Sequence, residues 1–305
     1  RDLYWNPMNT SQPAGPARRF LVTTVAGLEP LLVDELREMG LDPEPTPAGP
    51  LVLRGGWDAA ATVLIRSRIA SRLLLSLREF SARSQAMLYD QVRRIDWPTL
   101  FSPSLTVAIH AHGSTEGTDY AISFAPLKIK DAICDEYRHK GQLRPNVDRH
   151  NPDVRLTAFF HHGRCEISVD LSGEPLHRRG YRAEGAEAPL RENRAAALLR
   201  FAGYDGSGPL IDPFCGSGTV AIEAALIAMR RAPGLLRPVN RSAAGALFPE
   251  ARAALESERA RAMAETLGAP PHAIAGSDLS EPTLAIARSN AAKAGVDRFV
   301  RFELK

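Results

Sequence analysis

The run Leu210-Ile211-Asp212-Pro213-Phe214-Cys215-Gly216-Ser217-Gly218-Thr219 constrains the fold of this chain more than any other stretch. An apolar segment enters it, an acidic residue closes that segment, and two glycines lead into helical apolar spacing from Thr219 to Met229. That is the layout of a strand, a tight loop and the first turn of a helix. Glycine is needed in such a loop because a backbone without Cβ turns sharply and lets a ligand approach its N–H groups. The helix itself is nearly all apolar or Ala, so burial against a sheet is expected on most sides. Farther along, His272–Ala275 reads as a second strand ending in Gly276-Ser277-Asp278. Glu281–Lys293 reads as a helix stopped by Gly295, and Phe299–Leu304 as a third strand. Strand–helix alternation of this kind makes a parallel, doubly wound sheet with its ligand at the carboxyl ends of the strands.

Charge logic separates the ligands such a loop could hold. A dinucleotide loop shows Gly-x-Gly-x-x-Gly to seat a pyrophosphate. Here the third glycine is missing, and Asp212 puts a negative charge just before the loop. That charge repels a pyrophosphate and suits a cationic nucleoside, which disfavours a nicotinamide oxidoreductase. Asp278, at the end of the second strand, is placed to accept hydrogen bonds from the two hydroxyls of a ribose. An acidic helix N-cap is the competing role, although Ser280 could cap as well. Asp212 and Asp278 are 66 positions apart, against a usual separation of about 20. The excess carries its own Ala-rich helix, from about Glu250 to Leu267, and reads as an insertion. Cys215 has no histidine nearby in sequence, so a small packing residue is the expected role rather than a nucleophile.

The rest of the chain lies before this loop. In 305 residues there is room for two domains, each with its own core. Residues 1–18 are rich in Pro, Asn, Gly and Ala and read as a disordered tail; Arg1–Pro7 could be a cloning remnant, with Met8 a natural start. Phe20–Val25, a helix opened by Gly27-Leu28-Glu29-Pro30, Leu51–Leu53, a helix N-capped by Asp58, and Arg72–Phe80 suggest an α+β unit of ferredoxin-like type over residues 19–83. From 84 to 182 come a short helix, Met87–Ile95, and a strand, Leu105–Ala111. A helix from Pro126 with Leu127, Ile129, Ala132, Ile133 and Tyr137 on one face follows, then the hairpin Val154–Phe160/Cys165–Leu171. Residues 183–305 hold the doubly wound part. Cys134, Cys165 and Cys215 are far apart and odd in number, which excludes a disulfide framework; His161, His162 and His177 lack metal spacing, so no metal is expected. No apolar run reaches the ~20 residues that span a bilayer, and no signal peptide is seen, so a reducing cytoplasm is expected.

A net charge of +3 hides a concentration of basic residues between 128 and 182. Lys128, Lys130, Arg144, Arg149, Arg178, Arg179 and Arg182 stand out there as candidate RNA ligands, with Tyr181 among them. The interleaved acids Asp131, Asp135, Glu136, Asp148 and Asp153 fit a plain solvated surface equally well. Binding through phosphates would fall steeply with salt.

Asp170–Arg182, Asn146-Val147-Asp148-Arg149, the Phe20–Gly27 opening, Pro189-Leu190-Arg191-Glu192-Asn193 and Asp212–Thr219 carry a resemblance to a known family. They resemble the THUMP-bearing, S-adenosylmethionine-dependent RNA guanine-N2 methyltransferases of bacteria, and most of all those acting on large-subunit ribosomal RNA. The resemblance covers nearly everything after residue 18. It implies that the ferredoxin-like and THUMP parts grip RNA and that a Rossmann-like part binds S-adenosylmethionine. The cofactor would lie on Asp212, Phe214, Cys215, Gly216, Ser217, Gly218, Thr219 and Asp278, with Asn193 bordering its methionine end. A THUMP tRNA guanine-N2 methyltransferase would show the same motifs, and a non-catalytic RNA-binding module stands as an alternative from another class. Relatives use an Asn-Pro-Pro-Tyr loop for catalysis, and no such motif occurs in this sequence. The chain therefore reads as truncated, with its catalytic residues expected beyond Lys305.

Overall fold

A computed structural model describes residues 17–46, 49–182, 190–237 and 243–305. The expected tail and Pro189 lie outside the described residues, apart from 17 and 18 at the tail's end. The chain runs β1 (Arg18–Thr23), α1 (Glu29–Glu38), β2 (Pro43–Glu44), β3 (Leu51–Gly55), α2 (Trp57–Arg66) and β4 (Arg72–Ser81). It continues α3 (Gln85–Arg93), α4 (Trp97–Leu100), β5 (Val107–Gly113), α5 (Ala125–His139), β6 (Val154–His161) and β7 (Arg164–Asp170). Last come α6 (Glu192–Phe201), β8 (Leu210–Asp212), α7 (Thr219–Ala228), α8 (Ala243–Leu247), α9 (Pro249–Ala264), β9 (Ile274–Asp278), α10 (Glu281–Ala294) and β10 (Val300–Leu304).

The first seven strands form one continuous sheet in the order β2-β3-β1-β4-β7-β6-β5. Antiparallel pairing of β4 with β7, from Leu74↔Asp170 to Ser81↔Arg164, fuses the two α+β segments that the sequence presents one after the other. Alternation on the strands sends Phe20, Leu73, Leu75, Leu156, Ala158, Phe160, Ile167 and Val169 to one face, where they join the helices in a single core. On α5, Ile129, Ala132, Ile133 and Tyr137 are buried as expected, but Leu127 is 50% exposed because it lies off that stripe. Gly56, not Asp58, is the N-cap of α2, and no side chain caps it; Asp58 sits in the first turn, where its charge still favours the helix N-terminus.

Three parallel strands in the order β10-β9-β8 make the second sheet. Its core holds Ala221, Ile222, Ala225 and Leu226 of α7 against Ile274, Ala291, Val296 and Val300. The excess between β8 and β9 does not simply hang from this sheet. Its α9 packs along α2 of the first unit, with Ala251, Ala254, Leu255 and Ala262 entering the larger core. Trp57 meets Phe248 at a ring-centroid distance of 4.8 Å, and Arg66 pairs with Glu258 and Glu265. Gly234 lies so close to α2 that a Cβ there would meet Ile65 Cα at 2.5 Å. Among the described residues, no helix is long and apolar enough to cross a membrane.

Candidate functional site

Parallel pairing of β8 with β9 places Asp212 opposite Gly276, and Asp278 ends its strand two residues later. Both carboxylates therefore stand at the carboxyl ends of neighbouring strands, as the doubly wound rule requires. The loop between β8 and α7 is shaped by them. Phe214 N donates to Asp212 Oδ1 at 3.1 Å, and Gly216 N donates to Asp278 Oδ2 at 3.1 Å. Cys215 N donates to Ser277 O at 2.9 Å, tying the loop to β9. Ser280 caps α10 through Thr283 N, while Asp278 Oδ1 accepts Ser280 N at 2.9 Å. Asp278 is thus a loop brace rather than the cap, and each of its oxygens retains a further acceptor position.

Gly216 and Gly218 have φ of +51° and +81°, the left-handed region that side chains avoid. At Gly218 a Cβ would also lie 2.9 Å from the Phe302 ring and 3.1 Å from Ala287 Cβ. The loop can therefore take no other residue there without displacing β10 or α10. Asn290, buried in α10, donates to Ser217 O at 3.0 Å and fixes the loop from below. Thr219 is buried at the start of α7.

Electrostatically the site is negative. Neither Asp212 nor Asp278 has a cationic partner among the described residues. Burial, the Phe214 N–H and the neighbouring Asp278 act together on Asp212; burial dominates and raises its pKa. Phe214 and Leu279, both 88% exposed, stand beside these carboxylates. Unpaired negative charge next to exposed apolar surface suits a ligand with a cationic part and a flat apolar part. Burial and the two aspartates push the Cys215 thiol up to about 11, so a thiolate does not form at neutral pH. Cys215→Ala is accordingly expected to leave ligand affinity within about twofold, and Cys215 should resist iodoacetamide at neutral pH, read by mass spectrometry. Rapid alkylation would contradict this assignment.

The other expected site residues are scattered. Asn193 is fully buried and donates from Nδ2 to Ser71 Oγ at 3.2 Å and Ile69 O at 3.4 Å, so its amide nitrogen binds α6 to the first unit rather than facing the loop. Lys128, Lys130 and Arg144 line one cavity of about 370 Å³ with Tyr89 and Asp135. Lys128 lies 5.2 Å from the centre of the Tyr89 ring, and Lys130 pairs with Asp131 at 2.8 Å. Arg149 and Arg178 are exposed. Arg182 is held by Glu192 at 3.3 Å and by Leu190 O at 2.7 Å.

Arg179 requires a correction, because it is 1% exposed and cannot reach a phosphate in solvent. It donates to Leu176 O and Arg68 O and lies 3.7 Å from Glu223, an ion pair too long for a hydrogen bond. Glu223 also accepts the Tyr181 hydroxyl at 3.1 Å, and Arg68 donates to Leu226 O and Arg231 O. This buried cluster joins the segment after β7, the α2–β4 turn and α7. Sequence reasoning missed Glu223 and Arg68. One signal was available: Glu223 is the lone charge in the apolar run Thr219–Met229. Arg68 carries no such mark.

Comparison with known proteins reads the same arrangement. Residues 19–74 match the RlmL ferredoxin-like domain, 82–170 the THUMP domain, and 179–305 the RMKL-like methyltransferase domain. The three matches follow one another along the chain in that order. It is 41% identical over 293 residues to the ribosomal RNA large subunit methyltransferase K/L of Syntrophotalea carbinolica, covering 93% of this chain and 40% of that protein. The chain thus spans well under half of that relative's length. Among solved structures, SMU.472, described as a methyltransferase and complexed with SAH, superposes with a TM-score of 0.80 at 26% identity, covering 95% of this chain and 75% of that one. A methylase from Listeria monocytogenes str. 4b F2365, described as N6-adenine-specific for DNA, gives 0.82 at 26% identity over the same shares.

Proposed function

We propose that this THUMP and RMKL-like chain belongs to an enzyme that methylates RNA from S-adenosylmethionine, at the exocyclic N2 of a guanine in large-subunit ribosomal RNA, in the cytoplasm. The observation that carries the cofactor is the pair Asp212 and Asp278, uncompensated by any described cation, bracketing a glycine loop at adjacent strand ends. Gly216 and Gly218 would let the ligand approach the loop backbone, Asp278 would accept from its ribose hydroxyls, and Asp212 would offset its positive charge. Phe214 and Leu279 would shield its flat base. Bound there, the cofactor supplies an electrophilic methyl on a sulfonium. Guanine N2 is a weak nucleophile, so the protein's contribution is to hold that amine in line and to accept its hydrogen bonds. SAH in one structural neighbour and large-subunit ribosomal RNA in the name of the 41% identical relative support this reading.

Mass mapping of methylated nucleotides in ribosomal and transfer RNA from a strain lacking the full-length protein tests it. One N2-methylguanine should disappear from large-subunit RNA and return on complementation. Loss confined to tRNA, or loss of a methylated adenine instead, would reject the stated target.

A further inference from the structure

Among the described residues, the face of the seven-stranded sheet opposite the main core carries an unusual set of side chains along β5 and β6, with α8 reaching only its Arg72–Arg155 end. Along β6, Val154, Leu156, Ala158 and Phe160 enter the core, so Arg155, Thr157, Phe159 and His161 stand on the opposite side. Parallel pairing sets His110 of β5 beside Thr157 and His112 beside Phe159. The rings of His110 and His112 are 6.4 Å apart and inclined by 10°; those of Phe159 and His161 are 6.2 Å apart and inclined by 19°. Each of the two neighbouring strands therefore carries one pair of near-parallel rings, and His162 meets His161 edge-on at 4.1 Å. His110, His112 and His161 are exposed, and none has a hydrogen-bond or ion-pair partner among the described residues. Partial burial and nearby Arg155 lower the pKa of His110.

Charge is graded along the same face. The carboxylates within it are already neutralised: Glu166 by Arg19, Asp170 by Arg72 and Glu79 by Arg164. Arg155 and Arg178 have no acidic partner among the described residues, and with Arg72 and His150 they line a cavity of about 700 Å³. Asp153, also in its wall, is occupied by the backbone N–H and hydroxyl of Thr106. Arg155 is the second residue of β6 and His161 its last, so cations and rings follow one another over about 20 Å of strand. Cations at one end and parallel ring faces along the path match a single strand of nucleic acid, whose phosphates need charge and whose unpaired bases need flat partners. A base-paired helix keeps its base faces stacked inside and cannot use these rings.

We propose that this open sheet face is a base-stacking surface for an unpaired segment of the substrate RNA, with phosphates on Arg155 and Arg178 and bases on His112, Phe159 and His161. It rests on the reading of RNA as the substrate, and it adds a surface distinct from the lysine cavity beside α5. Fluorescence anisotropy of the 305-residue chain with a labelled single-stranded RNA of about 12 nucleotides, and with a blunt duplex of the same length, tests it. Phe159→Leu, which keeps apolar bulk but removes the ring, and His112→Ala should each weaken single-strand binding about tenfold and leave duplex binding unchanged. Arg155→Ala should reduce the slope of log K against log salt by about 0.7. Unchanged single-strand affinity in the Phe159→Leu/His112→Ala double variant, with parental thermal unfolding, would overturn the proposed face alone. Equal losses on both RNAs would also overturn it. A parental chain that binds neither RNA would overturn the RNA reading as well.

Discussion

Replacing Asp278 by Ala should weaken S-adenosylmethionine and its demethylated product by about 10- to 100-fold in titration calorimetry. Two effects add. The substitution removes charge-assisted hydrogen bonds to the ligand, worth ~1.5–3 kcal/mol. It also releases Gly216 N, which donates to the Asp278 carboxylate at 3.1 Å, and so loosens the loop that the ligand must meet. Asp278→Asn separates the two, since an amide oxygen can still brace the loop while the charge is gone; its loss should be smaller. Affinity within about twofold of the parent for Asp278→Ala would remove Asp278 from the site. The pH dependence has a definite sign. Asp212 titrates above the ordinary carboxylate range because it is buried beside Asp278, so on acidification it takes a proton early and the site loses negative charge. Affinity for a cationic ligand should fall on that acid side and be flat above it.

The second large effect is expected at Glu223, far from solvent. Glu223→Ala leaves Arg179 and Arg68 buried without their carboxylate and Tyr181 without its acceptor. Removing one partner from a buried charge cluster costs ~3–5 kcal/mol, which urea unfolding would read directly. Burial pushes Glu223 to a raised pKa, because desolvation outweighs Arg179 and Arg68. A group raised in this way gives its full stability at low pH and loses it as pH climbs through the folded value. The parent should therefore lose some stability on that climb, and Glu223→Gln, which cannot ionise, should not show this component. A Glu223→Ala variant within about 1 kcal/mol of the parent would show that the cluster is dispensable.

The glycine loop, its two acidic neighbours and the strand–helix alternation were legible because each is a local pattern with a local cause. Asp212, Gly216, Gly218 and Asp278 owe their placement to strand ends and backbone conformation, which sequence displays. The ferredoxin-like elements were legible for the same reason, by period and turn chemistry. What failed was non-local. Arg179 reads as one more cation in a basic run, yet its neighbours in space are the Arg68 carbonyl and Glu223, 111 and 44 positions away. Leu127 was placed on the buried stripe of α5 by its apolar character, although the helix turns it outward. The ring array was invisible for a related reason. His110 and His112 belong to one strand and Phe159 and His161 to another, and only the β5–β6 register sets them side by side.

The excursion between β8 and β9 has a consequence for anyone who would exchange parts between relatives. The chain leaves the three-stranded sheet after α7, lays α9 along α2, and returns to supply Asp278. A chimera joined near residue 183 would inherit α9 from one parent and α2 from the other. Trp57, Gly234, Phe248 and the Arg66–Glu258 pair would then face unfamiliar surfaces. The transplantable piece is therefore discontinuous: the seven-stranded unit travels with a loop that is encoded inside its neighbour.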